Sequence, residues 1–471
     1  MSISHQVSSF LSEVFFPVPN IVQTNGHVNN PHQPIEPPKL TVAFSGGLDS
    51  CVLLHVLSKL SQTAVFQLTA HHVHHGLSQH ADDWADFCQA ICAQLNVPLI
   101  ISTVQIDTKN GLGIESAARQ ARYRALFSNS PGFICTAHHQ DDQAETLLLQ
   151  LARGAGVKGL AAMSSCDAEK KLLRPLLGIS RAELELYAKQ HQLTWVEDES
   201  NADQRFDRNF MRHSILPMLQ LQYPAIKQNL ARSAGHLAEA NELLDELAMQ
   251  DAVACFSDQQ SISQLFLPPL QSLSHSRINN VLRWWLLQNR VRMPTTSQLQ
   301  QITAQLFVAK ANAAIKIRLT SESGDMLNPA KLSLRRYQQS AYVVAENASE
   351  LLLNKVWNNE SVMHFSNQGE LRFNHKLGEG FALKYLHDKQ LVIKNRAGGE
   401  RFKLDLNRPR RSLKAVLQSA GVPPWQREQL PLVYLDNDLV IIPNIAVDAH
   451  FKAHPDEMGL IVTWHEAVTD K

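Results

Sequence analysis

The chain has 471 residues, 44% of them hydrophobic, with 44 Lys plus Arg against 44 Asp plus Glu. That length holds about two to four domains, each with its own core, and excludes a small stapled module. Because the formal net charge is zero, a polyanionic partner has to be held by local basic clusters and not by the field of the whole molecule.

Met1 to Phe16 carries no Lys or Arg ahead of its apolar residues. No run approaches the roughly 18 apolar residues of a membrane span, so a cytoplasmic protein without a membrane partner is expected. Residues 17 to 38 are rich in Pro, Asn, His and Gln without periodicity, and 1–38 reads as a loose lead-in. Strand and helix patterns then alternate. Strands are predicted at Leu40 to Phe44, Ala64 to Val73, Pro98 to Ile106 and Phe133 to Ala137. Helices are predicted after Cys51, around Trp84, from Glu115 to Phe127 and from Asp141 to Leu151. This alternation predicts an α/β domain over 39–220, a doubly wound parallel sheet covered by helices on both faces, with ligands at the carboxyl ends of its strands. A long linker helix over 221–255 follows, then a middle domain over 256–346 and a small, mostly β domain over 385–466.

The most informative string is Ser45-Gly46-Gly47-Leu48-Asp49-Ser50, a two-glycine turn between a strand and a helix. Backbone N–H groups, the positive helix end and two hydroxyls converge there, which suits an anion. The string resembles the pyrophosphate-binding loop SGGxDS of ATP-pyrophosphatases and lacks the Gly-Lys-Ser/Thr ending of a Walker loop. A second string, Ala137-His138-His139-Gln140-Asp141-Asp142-Gln143-Ala144-Glu145-Thr146, runs off another strand onto the same rim. Its carboxylates suit a Mg²⁺ ligand, a base for a nucleophilic amine or an ammonium clamp. Glu115, Arg119 and Arg122 share one helix face, and the arginines suit a leaving pyrophosphate. His71, His72, His74, His75 and His80 form no compact ligand set and read as a loop facing the nucleotide. Basic residues gather at Arg205, Arg208 and Arg212, at Arg335 and Arg336, and at Arg408, Arg410, Arg411 and Lys414, a distribution suited to a long polyanion. The six cysteines include no C-x-x-C pair. A disulfide framework and an iron–sulfur site are therefore not expected.

Together these strings resemble the tRNA(Ile)-lysidine synthetase family in its three-domain bacterial form, and the match extends from Leu40 onward. It includes His72 to Leu77, Ala137 to Thr146, Arg174-Pro175-Leu176-Leu177, Glu197-Asp198, Arg208-Asn209 with Arg212, Arg277 to Trp285, Gly398 to Phe402 and Pro423-Pro424-Trp425 with Arg427-Glu428. The resemblance implies a ligase that adenylates the wobble cytidine of a CAU anticodon with ATP, releases pyrophosphate and lets the ε-amine of L-lysine displace AMP. It implies ATP binding by Ser45, Gly46, Gly47, Leu48, Asp49, Ser50 and His72, with catalysis by Asp49, Asp141, Asp142, Arg119 and Arg122. Mg²⁺ falls to Asp49 and Asp142. Substrate and tRNA contacts fall to Glu115, His138, Glu145, Arg205, Arg208, Arg212, Arg410, Arg411 and Lys414. The expected partners are tRNA(Ile) and lysine, and a homodimer is admitted. The competing readings are a tRNA base thiolase of the same superfamily, which would want a reactive cysteine pair, and a non-catalytic ATP-sensing RNA-binding protein.

Overall fold

The computed structural model describes residues 2–15, 37–76, 78–105, 114–199, 203–256, 262–308, 315–321, 331–346, 353–365, 369–387 and 389–466. The chain forms two compact units, Met1–Gln250 and Asp251–Lys471. Among the described residues no helix is long and apolar enough to cross a membrane.

The first unit opens with α1 (Ile3–Phe15), then β1 (Lys39–Ala43), α2 (Leu48–Leu60), β2 (Gln67–His74), α3 (Ala81–Gln94), β3 (Leu99–Thr103) and α4 (Ile114–Asn129). It continues through β4 (Phe133–Cys135), α5 (Gln140–Ala152), α6 (Val157–Leu160), β5 (Cys166–Asp167), β6 (Leu172–Leu173) and α7 (Arg181–Gln190). The strands lie in the order β3-β2-β1-β4-β6-β5, all parallel to their neighbours except the edge strand β5. The expected parallel α/β sheet is therefore present. Side chains alternate across it, as the pleat requires. Ile134 and Leu172 pack with Ala125 and Leu126 of α4. Cys135 and Leu173 face the opposite way, into a core built by α1, α2, α3 and α7.

Beyond the sheet come α8 (Asp207–Phe210), a π-helical turn at Met211–Ile215, α9 (Leu216–Gln222) and α10 (Ile226–Ala252). The linker helix expected from 221 is α10, which begins five residues later, after the short α9. Pro224 falls between them, where its ring and missing N–H stop a continuous ladder. The loose lead-in expected over 1–38 also needs correction, because Ile3, Val7 and Leu11 are buried against the main core through α1. Their spacing of four residues is one helical stripe. Residues 16–36 lie outside the described set.

In the second unit, β7 (Gln264–Phe266), β8 (Lys316–Thr320), β9 (Lys331–Tyr337) and β10 (Ser340–Ala345) form an antiparallel sheet in the order β7-β10-β9-β8, accompanied by α11 (His275–Gln288) and α12 (Thr296–Phe307). Arg277 of α11 forks onto Asp251. The C-terminal module is mostly strands. Its central sheet places Val433 and Leu435 in one apolar cluster, and Leu432 and Tyr434 in another on the opposite face. Strands at Asn354–Val356, Val362–Phe365, Gly369–Leu377 and Phe381–Ala382 belong to this module, although no domain was expected over 347–384. Arg427 donates to Val422 O at 2.8 Å and to the Tyr337 hydroxyl at 3.0 Å, while Arg335 lies over the Trp425 ring at 5.1 Å. The Pro423-Pro424-Trp425 segment therefore packs on β9.

Truncating Leu11 to Ala removes buried methyl groups from the α1 stripe. It should lower the stability of the first unit by about 2–3 kcal/mol, read as an earlier urea midpoint with an unchanged slope.

Candidate active site

The carboxyl ends of β1, β4 and β6 open on one edge, and each feeds a loop of the site. After β1 the chain turns at Gly46, whose φ of +83° lies in the left-handed region. A Cβ there would stand 3.0 Å from Val196 Cγ2 and 3.2 Å from Cys88 Sγ, so the turn has no room for a side chain. Val196 N donates to Gly46 O at 3.0 Å and fixes the turn from outside. Ser50 Oγ donates to Gly47 O at 2.8 Å and meets Ser45 Oγ at 3.2 Å. No residue side chain caps α2 at Gly47. Its first amides are left for an anion. His72 was expected to face the nucleotide, yet it is buried with Nδ1 2.9 Å from Phe44 O. A carbonyl only accepts, so Nδ1 carries the proton and the ring anchors the strand leading into the loop.

Four carboxylates line the rim, and each meets a cation from later in the chain. Asp49 takes Arg181 Nη1 on both oxygens, at 2.7 and 2.6 Å. Asp141 accepts Lys227 Nζ at 2.7 Å and the Arg181 backbone N–H at 3.2 Å. Asp142 accepts its own helix-start amide at His139 N (2.9 Å), Arg208 Nη2 (2.9 Å) and Arg212 Nη2 (3.1 Å). Glu145, only 1% exposed, accepts Arg208 Nε at 2.8 Å and Arg212 Nε at 2.6 Å. Arg208 and Arg212, expected to face RNA, thus point inward, while Arg205 stays outside on Asp203. His139 Nε2 sits between Asp49 Oδ2 (3.7 Å) and Asp142 Oδ2 (3.5 Å), and its buried Nδ1 has no hydrogen-bond partner.

These environments pull the two flanking carboxyls apart. Burial raises Asp49 above the usual carboxylate value against the opposing pull of His139 and Arg181. Burial also disfavours the charged form of Asp142, but His139 and Arg208 outweigh it and bring that group down to about 2. Such a weak base suits holding a cation better than accepting a proton, so of the three uses open to these carboxylates the low value at Asp142 favours a metal ligand or an ammonium clamp.

Arg119, Arg122 and Arg174 form the other half of the rim, and Asp167 acts on Arg174 electrostatically. Arg119 leans over the Tyr123 ring at 5.1 Å. Arg122 is in the electrostatic field of His72, His75 and Asp198. His138 shares its Nδ1 with Thr136 Oγ1 at 2.8 Å. Burial, together with the positive charge of Arg208, Arg119 and Arg174, pushes its imidazole down to about 3, so it is neutral near pH 7. Glu115 starts α4, but its side chain is outside the described set. Arg410, Arg411 and Lys414 are exposed on the second unit, and Arg335 is taken up by Trp425.

Sequence reading missed His139, Arg181 and Lys227 as site residues. For His139 the signal was its position inside the second string, directly before the helix start that carries Asp141 and Asp142. Arg181 and Lys227 gave none, because their partners lie 132 and 86 residues away.

A glycine turn on a parallel sheet, with donors aimed at phosphate and no Walker lysine, defines a PP-loop ATP-binding domain. A PP-loop domain model matches residues 21–219, a TilS substrate binding domain 265–342 and a TilS substrate C-terminal domain 391–464. A tRNA(Ile)-lysidine synthase of Nitrosomonas europaea is 39% identical over 434 residues, covering 91% of this chain and 92% of the relative. One from Coxiella burnetii is 37% identical over 429 residues, covering 89% and 91%. Among solved structures, the U34-tRNA thiolase NcsA of Methanococcus maripaludis covers 50% of this chain and 78% of its own at 20% identity and a TM-score of 0.39, too low to argue from. The chain belongs to the tRNA(Ile)-lysidine synthase family.

The pairing of Asp142 has a consequence for acid stability. Its folded value of about 2 lies below the roughly 3.9 of an unfolded Asp, so its stabilisation is full above about pH 4 and is lost as pH falls toward 2. Arg208→Gln should raise the folded value and move the acid-unfolding midpoint to higher pH, followed by circular dichroism.

Proposed function

We propose that the chain joins L-lysine to C2 of the wobble cytidine in tRNA(Ile) carrying a CAU anticodon, in two steps of which the first consumes ATP. What carries the reading is that the chain spans nearly the whole length of relatives named tRNA(Ile)-lysidine synthase while its phosphate turn and ion-paired rim are intact. In the first step the C2 oxygen attacks the α-phosphorus of ATP, the α–β bridging bond breaks and pyrophosphate leaves. The Gly46–Ser50 turn would hold the β- and γ-phosphates, and Arg119 and Arg122 would offset charge as it builds. In the second step the lysine ε-amine attacks C2, the C2–O bond breaks and AMP departs with the adenylated oxygen.

The amine must arrive without its extra proton, although a free lysine holds it to about pH 10.4. Arg208 and Arg212 already neutralise Asp142 and Glu145. An incoming amine then meets no net negative field that would retain the proton, and the positive charge of Arg119 and Arg174 nearby disfavours the ammonium form.

Among the described residues no three His, Cys, Asp or Glu side chains gather into a metal-binding group. Mg²⁺ needs only one or two carboxylates when nucleotide oxygens complete its shell. Asp49 and Asp142, on either side of His139, would supply them, and the ion would add positive charge against the phosphates. Exposed Arg205, Arg410, Arg411 and Lys414 would meet tRNA phosphates. With tRNA and ATP as substrates, we place the protein in the cytoplasm. A thiolase reading finds no reagent, since burial raises every thiol, Cys51 and Cys135 to about 12 and Cys92 and Cys255 to about 11.

Incubation with ATP, L-lysine and unmodified tRNA(Ile), followed by nuclease digestion and mass spectrometry, should yield lysidine with one pyrophosphate released per product. Thiolated cytidine or unchanged tRNA would overturn the assignment. Asp142→Asn should abolish lysidine formation in protein that still melts cooperatively, and near-normal turnover would remove Asp142 from the mechanism.

A further inference from the structure

The guanidinium of Arg174, at the carboxyl end of β6, is only half used. Its Nη1 donates to Ser164 O at 2.6 Å, whereas its Nε is buried without a hydrogen-bond partner. An orphaned buried donor is costly to leave unmet, and a ligand oxygen at this edge would meet it. The unused side presents Nε and Nη2 as a planar fork, which matches the two oxygens of a carboxylate. This chain uses that same edge on its own carboxylates, Arg205 on Asp203 and Arg212 on Glu145. Arg174 has no such partner. Around it stand Arg119 and neutral His138, and Asp167 acts on it electrostatically while its Nε edge stays without a hydrogen-bond partner.

Position narrows the ligand. The ATP turn leaves β1, and β6 lies two strands away across β4. At about 4.8 Å per strand that is roughly 10 Å, too far for the pyrophosphate held at the turn. A buried donor edge favours a small ligand over an exposed RNA backbone. The α-phosphate is bonded to the pyrophosphate until it departs and so stays beside the turn, which leaves the carboxylate of the amino acid.

Resting on the lysidine-forming reading above, we propose that Arg174, assisted by Arg119 and His138, binds the α-carboxylate of the substrate lysine. The aliphatic chain then runs from β6 toward the Asp49 and Asp142 side, delivering the ε-amine to the adenylated base. Arg174 is on this account a specificity residue, which admits a free amino acid and rejects amines without the carboxylate.

The test compares L-lysine with cadaverine, which keeps both ends of the methylene chain as amines and lacks the carboxylate. The wild type should use cadaverine at least about a hundredfold less efficiently in kcat/KM. Arg174→Gln should raise KM for lysine by about tenfold to a hundredfold, with a much smaller loss on cadaverine, so that the preference for lysine over cadaverine shrinks. Equal losses on both amines would overturn the proposal. So would a raised KM for tRNA with a shallower salt dependence, which would assign Arg174 to an RNA phosphate. Should Arg174→Gln fail to fold, Arg174→Lys keeps the charge without the fork, and undiminished discrimination in that variant would equally sink the idea. Failure of the underlying reading is seen separately, as absence of lysidine from the wild type.

Discussion

Carboxylates cannot be buried at the edge of a sheet without counter-charges, and most of the first unit is arranged around meeting that requirement. Asp49, Asp141 and Asp142 lie in the first turns of α2 and α5, where helix dipoles favour negative charge, and Glu145 stands in the second turn of α5. The dipoles alone do not neutralise four of them. Removing one partner from a buried pair costs on the order of 3–5 kcal/mol, so the chain beyond the sheet has to return and deliver Arg181, Arg208, Arg212 and Lys227. The pairs constrain α7, α8, the π-helical turn and the first residues of α10 to particular positions over the rim.

A division of labour follows. The acidic half is neutral as a unit and can accept a nucleotide or an amine without a large change of field. The half carrying Arg119, Arg122 and Arg174 keeps its charge for ligands. A loop that only bound phosphate would need the second half alone. An enzyme that brings an anion and an amine to one base needs both, and in this chain they are adjacent along a single strand edge.

Much of this was legible in the sequence where the information is local. The Gly46-Gly47 turn declares itself because a strand, two glycines and a helix stand in succession. The β4 string declares its carboxylates because helix starts favour them. What the residues could not declare was pairing at a distance. Asp141 and Asp142 are neighbours in sequence, yet one meets Lys227 and the other two arginines, because successive residues of a helix point about 100° apart. Arg208 and Arg212 read as surface charge for the same reason, since a pattern records spacing and not which way a helix faces. Helix α1 was hidden by the Pro- and Asn-rich residues after it, although Ile3, Val7 and Leu11 carry the period plainly. The strands around Leu371 and Phe373 were missed because Lys, His and Asn fill the outward positions between short apolar steps.

Lys227 places an ε-amine of the protein itself 2.7 Å from Asp141, beside a centre that activates a base toward ε-amines. Such an enzyme risks becoming its own acceptor. The contact answers that hazard, because the Lys227 nitrogen is engaged by the Asp141 carboxylate and not free to approach the base. A polypeptide lysine also has its carboxyl locked in a peptide bond. Selection of the free amino acid and protection against self-ligation are then two faces of one arrangement of charge.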